Sequence, residues 1–246
     1  MSLGKFYGIG VGPGDPELLT LKAGRILGEI DVLLIPKSKK EKRSLALSIA
    51  SELVNKNCET VELILPMTTD QEELKRHWQQ AAEQVVEVLN QGKDTAFITL
   101  GDPTIYSTFT YLLKYVKKLA PKVEVEIVPG ISSINSISAW IGQPLAEGEE
   151  SLVIVPALND KQSLDKIISE FDNIVLLKAG NQVDKVIDIL EEKGILDKGF
   201  YASRYGFSDG FHTNELKELR NKKFDYLSTM IIKKKLGDGE IGDDDK

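Results

Sequence analysis

Histidine and cysteine are nearly absent: among 246 residues there is one cysteine, Cys58, and there are two histidines, His77 and His212. A single thiol cannot close an internal disulfide, and so few scattered ligands leave no material for a His/Cys zinc site. No protein-held metal is expected, and the cysteine usage fits a reducing cytoplasm. Long apolar runs are missing too. No stretch approaches the roughly 20 residues that a bilayer-crossing helix needs, and the opening MSLGKFYGIG lacks the apolar core of a signal peptide. Neither a membrane nor export is expected.

Basic charge is in deficit. The formal net charge is −7, which disfavours nucleic acid as a partner, because such binding rests on neutralising phosphates. The last ten residues, GDGEIGDDDK, carry five acids and one lysine, so four of the seven net charges lie there. Gly-rich and without apolar periodicity, residues 237–246 read as an acidic flexible tail. Around Pro36 to Arg43 the bias reverses: Lys37, Lys39, Lys40, Lys42 and Arg43 face only Glu41.

What is present is an alternation of short apolar runs and amphipathic stretches. KFYGIGVG, DVLLIP, TVELIL, DTAFITL and VEVEIV read as strands. PELLTLKAGRILGEI, capped by Asp15, reads as a helix, as do SLALSIASELVN, the segment from about Thr69 to Gln91, and TIYSTFTYLLKYVKKL. The alternation predicts βαβ units and a parallel sheet. After ISSINSISAWIG and the polar stretch 143–150 the rhythm restarts, with strands in SLVIVPA, NIVLLKAG, GFYASRYG and YLSTMIIKK. Helices are expected near 160–170, 182–193 and 213–219. The expected organisation is an α/β domain over 1–142, a linker at 143–150 and a second α/β domain over 151–236.

Ligands of such sheets bind outside the carboxyl ends of the strands, which directs attention to the glycine turns. GVGPGDP spaces its glycines at Gly10, Gly12 and Gly14 rather than as G-x-G-x-x-G, and the second strand ends in Pro36 and lysines instead of an acid. A nicotinamide-binding oxidoreductase is therefore only an alternative. No phosphate-binding G-x-x-x-x-G-K-[ST] occurs. Gly206 to Gly210 formally matches a serine-hydrolase elbow around Ser208, but the one later histidine, His212, follows by only four residues. The most informative turn is TLGDPTIYST, where Gly101 permits close backbone approach, Asp102 can cap or meet a ligand, and Tyr106 is expected one turn inside the next helix. His77, Trp78 and Cys58 read as packing residues.

In order, GIGVGPGDPELLTLKA, LGDPTIYST, EIVPGISSI and YLSTMII resemble the tetrapyrrole (corrin/porphyrin) methyltransferase family over essentially the whole chain. LGDPTIYST is similar to the subgroup that methylates the meso carbon-20 of precorrin-2 or its cobalt complex in vitamin B12 synthesis. The Gly-Arg of the GGDPFIFGRG form found in uroporphyrinogen-III methyltransferases is absent. The resemblance implies two α/β domains, a mostly parallel N-terminal sheet, a mixed C-terminal sheet and a cytoplasmic homodimer. It also implies S-adenosylmethionine as methyl donor, folded between the domains. Pro13, Leu100, Gly101, Asp102, Ile105, Ser132, Ser133, Lys178 and Gly206 match its cofactor-contacting positions. Gly10, Gly12 and Gly14 are then expected on the tetrapyrrole side, and Lys37, Lys39, Lys40 and Arg43 suit a polycarboxylate rim, with Arg204 as a further cation. Asp102, followed by Tyr106, is the candidate to accept the proton released from the methylated carbon. Another ring carbon remains an alternative.

Overall fold

A computed structural model describes residues 2–37, 44–66, 68, 70–156 and 160–235 of the chain, which divides into two units, Met1–Ser133 and Ile134–Lys246.

The first unit runs β1 (Phe6–Gly10), α1 (Leu21–Leu27), β2 (Val32–Lys37), α2 (Leu45–Ala50), β3 (Glu59–Ile64), α3 (Gln71–Asn90), β4 (Thr95–Thr99), α4 (Phe109–Leu119) and β5 (Val125–Val128). All its strand pairings are parallel, in the order β3-β2-β4-β1-β5. Central β4 is buried throughout, with Ala96, Phe97 and Ile98 between two buried threonines, whereas edge strand β3 exposes Glu62 and buries Leu63. Asp70 caps α3 by accepting from the amides of Glu72 and Glu73. Its buried Ala81, Ala82, Val85 and Leu89 share one face over the sheet. At the other edge, Lys5 bridges Glu124 and Glu126, each at 2.7 Å, and Lys22 also reaches Glu126. Hydrogen bonds from Lys22, then Lys5, draw the Glu126 carboxyl down to about 2. Such charges on an edge strand discourage pairing with a stray strand.

Three expected helices are shorter than their patterns, and SLALSIASELVN is helical only over Leu45–Ala50. PELLTLKAGRILGEI splits into a 3-10 turn, Pro16–Leu18, and α1, because Asp15 caps the first and the Thr20 hydroxyl accepts from the Ala23 amide to start the second. The helix after Gly101 begins only at Phe109. The Asp102 carboxylate accepts from the amide and the hydroxyl of Thr104, while Ser107 Oγ accepts from the Phe109 amide and donates to Thr99 Oγ1 at 3.0 Å. These side-chain bonds hold the turn against helix formation, and Tyr106, expected inside a helix, instead has φ +49°.

The second unit contains α5 (Ser133–Ile141, its first residue at the division), β6 (Leu152–Pro156), α6 (Lys161–Glu170), β7 (Asn173–Leu177), α7 (Val183–Glu192), β8 (Gly199–Ser203), β9 (Phe211–Thr213) and β10 (Ser228–Lys233). The sheet order is β6-β7-β10-β8-β9, with β6 parallel to β7 and the other pairs antiparallel. One face carries Ile174, Leu176, Tyr201, Met230 and Ile232 under α6 and α7, and the other packs Val175, Leu177, Ala202 and Ile231 against Ile134 and Ile137 of α5. That apolar stripe places α5 in the second unit, so the division falls before the expected segment 143–150. Nor does that segment behave as a free linker: Glu147 and Glu150 both meet buried Lys233. Near 213–219, where a helix was expected, β9 ends at Thr213 and a 3-10 turn, Leu216–Leu219, follows. The expected tail 237–246 lies outside the described residues. No helix among the described residues is long and apolar enough to cross a membrane.

Candidate functional site

Chain connections leave the first sheet in opposite directions, from β1 toward β2 and from β4 over β1 to β5, so the carboxyl ends of β1, β4 and β5 form a topological switch point. Three turns recognised separately in the sequence meet there. Val11 donates to Thr99 O at 2.9 Å, and Gly12 and Gly101 exchange backbone hydrogen bonds at 3.3 and 2.7 Å, closing an antiparallel bridge between the first turn and the GDP turn. The Gly130 amide donates to Asp102 Oδ2 at 3.0 Å, which ties in the Pro-Gly turn after β5.

Glycine is required at two of these positions by crowding alone. A Cβ on Gly130 would lie 2.2 Å from Gly101 O, and one on Gly10 would lie 2.5 Å from the same atom and 2.7 Å from Gly130 N. Gly101 is glycine for another reason: its φ is +65°, while a Cβ would have 3.9 Å to Ser132 Cα and to Ser133 N. A notch therefore opens beside the two serines. Around it Gly10, Gly12, Pro13, Gly14 and Ser132 are buried, Leu100, Asp102 and Ser133 half-buried, and Ile105, Tyr106 and Ile131 exposed. The site offers peptide groups, hydroxyls and an apolar lip, with one carboxylate engaged by three donors.

The other expected site residues are not carried by these three turns. Lys37 ends β2 and pairs with Glu62 of β3 at 2.9 Å, an exposed cross-strand bridge worth about 1 kcal/mol at most. Lys39, Lys40, Lys42 and Arg43 fall outside the described residues. Lys178 and Gly206 belong to the second unit, on the turns after β7 and β8. Arg204 is committed, with Nε 2.8 Å from Asp209, Nη1 2.9 Å from Asp225 and the guanidinium 5.0 Å from the Phe207 ring centroid. The hydrolase match dissolves on the same turn. It joins β8 to antiparallel β9 where a nucleophile elbow needs a following helix, and the His212 ring sits edge-on to Trp140 at 4.7 Å. No cluster of ligating side chains among the described residues could hold a metal ion.

Sequence reasoning missed Gly130 as the third member of the glycine contact and the left-handed backbones of Tyr106, Lys178 and Arg204. The Pro-Gly dipeptide was a usable signal for the first; nothing in the residue types announces the others.

A doubly wound parallel sheet with a glycine-built notch at its switch point, followed by a mixed sheet, defines a class of two-unit α/β ligand-binding enzymes. Residues 5–219 match the model of the Tetrapyrrole (Corrin/Porphyrin) Methylases, and the chain belongs to that family. It is 42% identical over 232 residues to a Methanocaldococcus jannaschii protein named "Probable cobalt-precorrin-2 C(20)-methyltransferase", covering 94% of this chain and 96% of that one. It is 30% identical to the cobalt-precorrin-2 C(20)-methyltransferase of Salmonella typhimurium, covering 94% and 97%. In fold it is similar to a cobalt precorrin-4 methyltransferase, with TM-score 0.70, 19% identity and 93% and 94% coverage. A uroporphyrin-III C-methyltransferase from Thermus thermophilus, solved with S-adenyl homocysteine, gives TM-score 0.64, 22% identity and 94% and 97% coverage.

Proposed function

We propose that the protein transfers a methyl group from S-adenosylmethionine to the meso carbon C20 of precorrin-2 in its cobalt-charged form, a step of cobalamin biosynthesis. The carrying observation is the meeting of the GVGPG, GDP and VPGISS turns in one notch, in a chain with relatives at 42% and 30% identity, each matched over 94% of this chain, that carry cobalt-precorrin-2 names. The residues present fit the donor. Peptide groups of Leu100 and Gly101 and the hydroxyls of Ser132 and Ser133 can hold its polar parts, and Ile105 and Ile131 can cover its apolar ones. When bound, S-adenosylmethionine supplies an electrophilic methyl group. The chain's own contribution is orientation and exclusion of water, which can be worth roughly 7 kcal/mol or more, and that division of labour agrees with the poverty in histidine and cysteine.

The roles within the notch follow from its bonds. Asp102, with its carboxylate committed to Thr104 and Gly130, is assigned here to positioning the turn, in preference to accepting a proton. Tyr106, on the exposed lip, is then the candidate to meet the reacting edge of the macrocycle. Asp102→Asn turns one acceptor into a donor facing donors. S-adenosylhomocysteine should bind that variant about tenfold more weakly by calorimetry, a loss of about 1.4 kcal/mol. Unchanged affinity together with a displaced pH profile of turnover would return Asp102 to the role of base. A cytoplasmic homodimer accompanies this reading, and light scattering of the purified protein tests the dimer.

The decisive assay incubates the protein with cobalt-precorrin-2, or separately with metal-free precorrin-2, and donor carrying a labelled methyl group. One new methyl located at C20 by NMR is the expected product. A methyl on another ring carbon, or thermal stabilisation by NAD and not by S-adenosylhomocysteine, would overturn the proposal.

A further inference from the structure

Two basic residues leave the second sheet at the same end, and both have left-handed backbones. β7 and β8 are each antiparallel to β10, hence parallel to one another, with Leu177 opposite Thr229 and Ser203 opposite Ser228. The next residues are Lys178, at φ 58° and ψ 38°, and Arg204, at φ 54°. Side chains with a Cβ are strained there, so glycine is the relaxed choice. The chain does use glycine two residues on, where it is needed: a Cβ on Gly180 would come within 2.3 Å of Asp225 O. At position 178 it keeps a long cation in a strained conformation, and such strain persists where the side chain has a task.

The two cations differ in what they touch. Arg204 is neutralised by Asp209 and Asp225 and acts as a strut that fixes its own turn. Lys178 is exposed, and its ammonium makes no hydrogen bond or ion pair among the described residues. Asp225, the acid on the adjoining turn, is already held by Arg204. The left-handed turn thus presents a positive charge at the carboxyl end of a strand with no acidic partner among the described residues, in a chain of net charge −7.

We propose that the Lys178 ammonium docks a carboxylate at the periphery of the tetrapyrrole. The inference rests on the substrate assigned above. A carboxylate is also present at the methionine end of the donor, but there it adjoins an ammonium and a sulfonium that a lysine would repel, whereas the macrocycle carries several carboxylates with no cation beside them. Lys178 is therefore a residue that selects the substrate, independent of any contact its backbone makes.

The test uses three variants of the full chain. Lys178→Met keeps the stem and removes the charge, Lys178→Arg keeps the charge, and Lys178→Gly removes the charge while relaxing the backbone. Cobalt-factor II, the oxidised form of cobalt-precorrin-2 with the same peripheral carboxylates, is titrated by its absorbance into protein saturated with S-adenosylhomocysteine, and S-adenosylhomocysteine alone is titrated by calorimetry. Expected are cobalt-factor II dissociation constants about tenfold higher for Lys178→Met and Lys178→Gly, near-complete rescue in Lys178→Arg, and a raised melting midpoint in Lys178→Gly. That rise separates loss of charge from loss of structure. If Lys178→Met binds cobalt-factor II like the wild type, or weakens S-adenosylhomocysteine alone, the assignment is overturned while the proposed function stands. If the wild type binds S-adenosylhomocysteine but not cobalt-factor II, the substrate reading falls and the assignment with it.

Discussion

Gly130→Ala is expected to cost the first unit about 3 kcal/mol or more of stability and to remove S-adenosylhomocysteine binding, although the change adds one methyl group. The clash is with backbone on both sides: a Cβ would lie 2.2 Å from Gly101 O and 2.8 Å from Gly10 O. No side chain is available to swing aside, so relief requires the β1 and β4 turns to separate. Overpacking usually costs about 1–3 kcal/mol where side chains can yield, and an unyielding contact belongs at or beyond the upper end. Separating the turns would also strain the Gly12–Gly101 backbone pair and the Asp102–Gly130 bond, whose geometry shapes the notch. A displacement of about 1 Å in a site that works by orientation can cost on the order of a hundredfold in rate.

The control is Gly101→Ala, which meets no clash: its Cβ would have 3.9 Å of clearance, so only the left-handed φ of +65° opposes it. That strain is worth about 1 kcal/mol, and Gly101→Asn, a residue that tolerates this region, should recover part of it. Urea unfolding of the three variants, paired with calorimetric titration of S-adenosylhomocysteine, gives the ranking. Equal costs for Gly101→Ala and Gly130→Ala would refute the claim that crowding, rather than backbone freedom, fixes Gly130.

Much of this was legible beforehand because it depends on local pattern. DTAFITL and NIVLL, each with an apolar centre, became the buried strands β4 and β7, and the turns GVGPG, GDP and VPGISS were visible as glycine turns at strand ends. Where sequence reasoning failed, a side chain had intervened in backbone bonding: Thr20 divided one expected helix, and Asp102 with Ser107 delayed another until Phe109. Periodicity sees apolar spacing and is blind to which hydroxyl or carboxylate captures an amide. The convergence of Gly10, Gly101 and Gly130 was hidden for a different reason, since it is created by strand order, and β5 lies beside β1 only because the crossovers reverse direction after β3. The same blindness to tertiary context made 143–150 look like a linker, and no pattern in IIKKK announced that its first lysine is buried.

Lys233 in that IIKKK stretch carries the second large expectation: Lys233→Met should destabilise the second unit by about 3 kcal/mol and lower its melting midpoint by on the order of 10 °C. The side chain is 1% exposed, with Nζ 3.0 Å from Glu150 and 3.2 Å from Glu147, and Asn173 adds a hydrogen bond to Glu150 at 2.9 Å. Burial works against the ammonium, yet the two carboxylates outweigh it and hold the lysine pKa above its ordinary value, while bonds from Asn173 and then Lys233 lower that of Glu150. Removing the cation leaves the largely buried Glu150 without its charge partner, which is the costly half of such a pair; removing both charges in Lys233→Met with Glu150→Gln should restore part of the loss. The pH dependence has a definite sign. A lowered carboxyl contributes fully above its ordinary 4.5 and is lost as pH falls through the lowered value; a raised lysine contributes fully below its ordinary 10.5 and is lost as pH rises through the raised one. The wild-type advantage over Lys233→Met should therefore be flat between roughly pH 4.5 and 10.5 and shrink on either side. Thermal melts of wild type, both single variants and the double variant across that range measure it. A Lys233→Met midpoint within a degree or two of wild type at pH 7 would mean that segment 143–150 is not anchored through this charge.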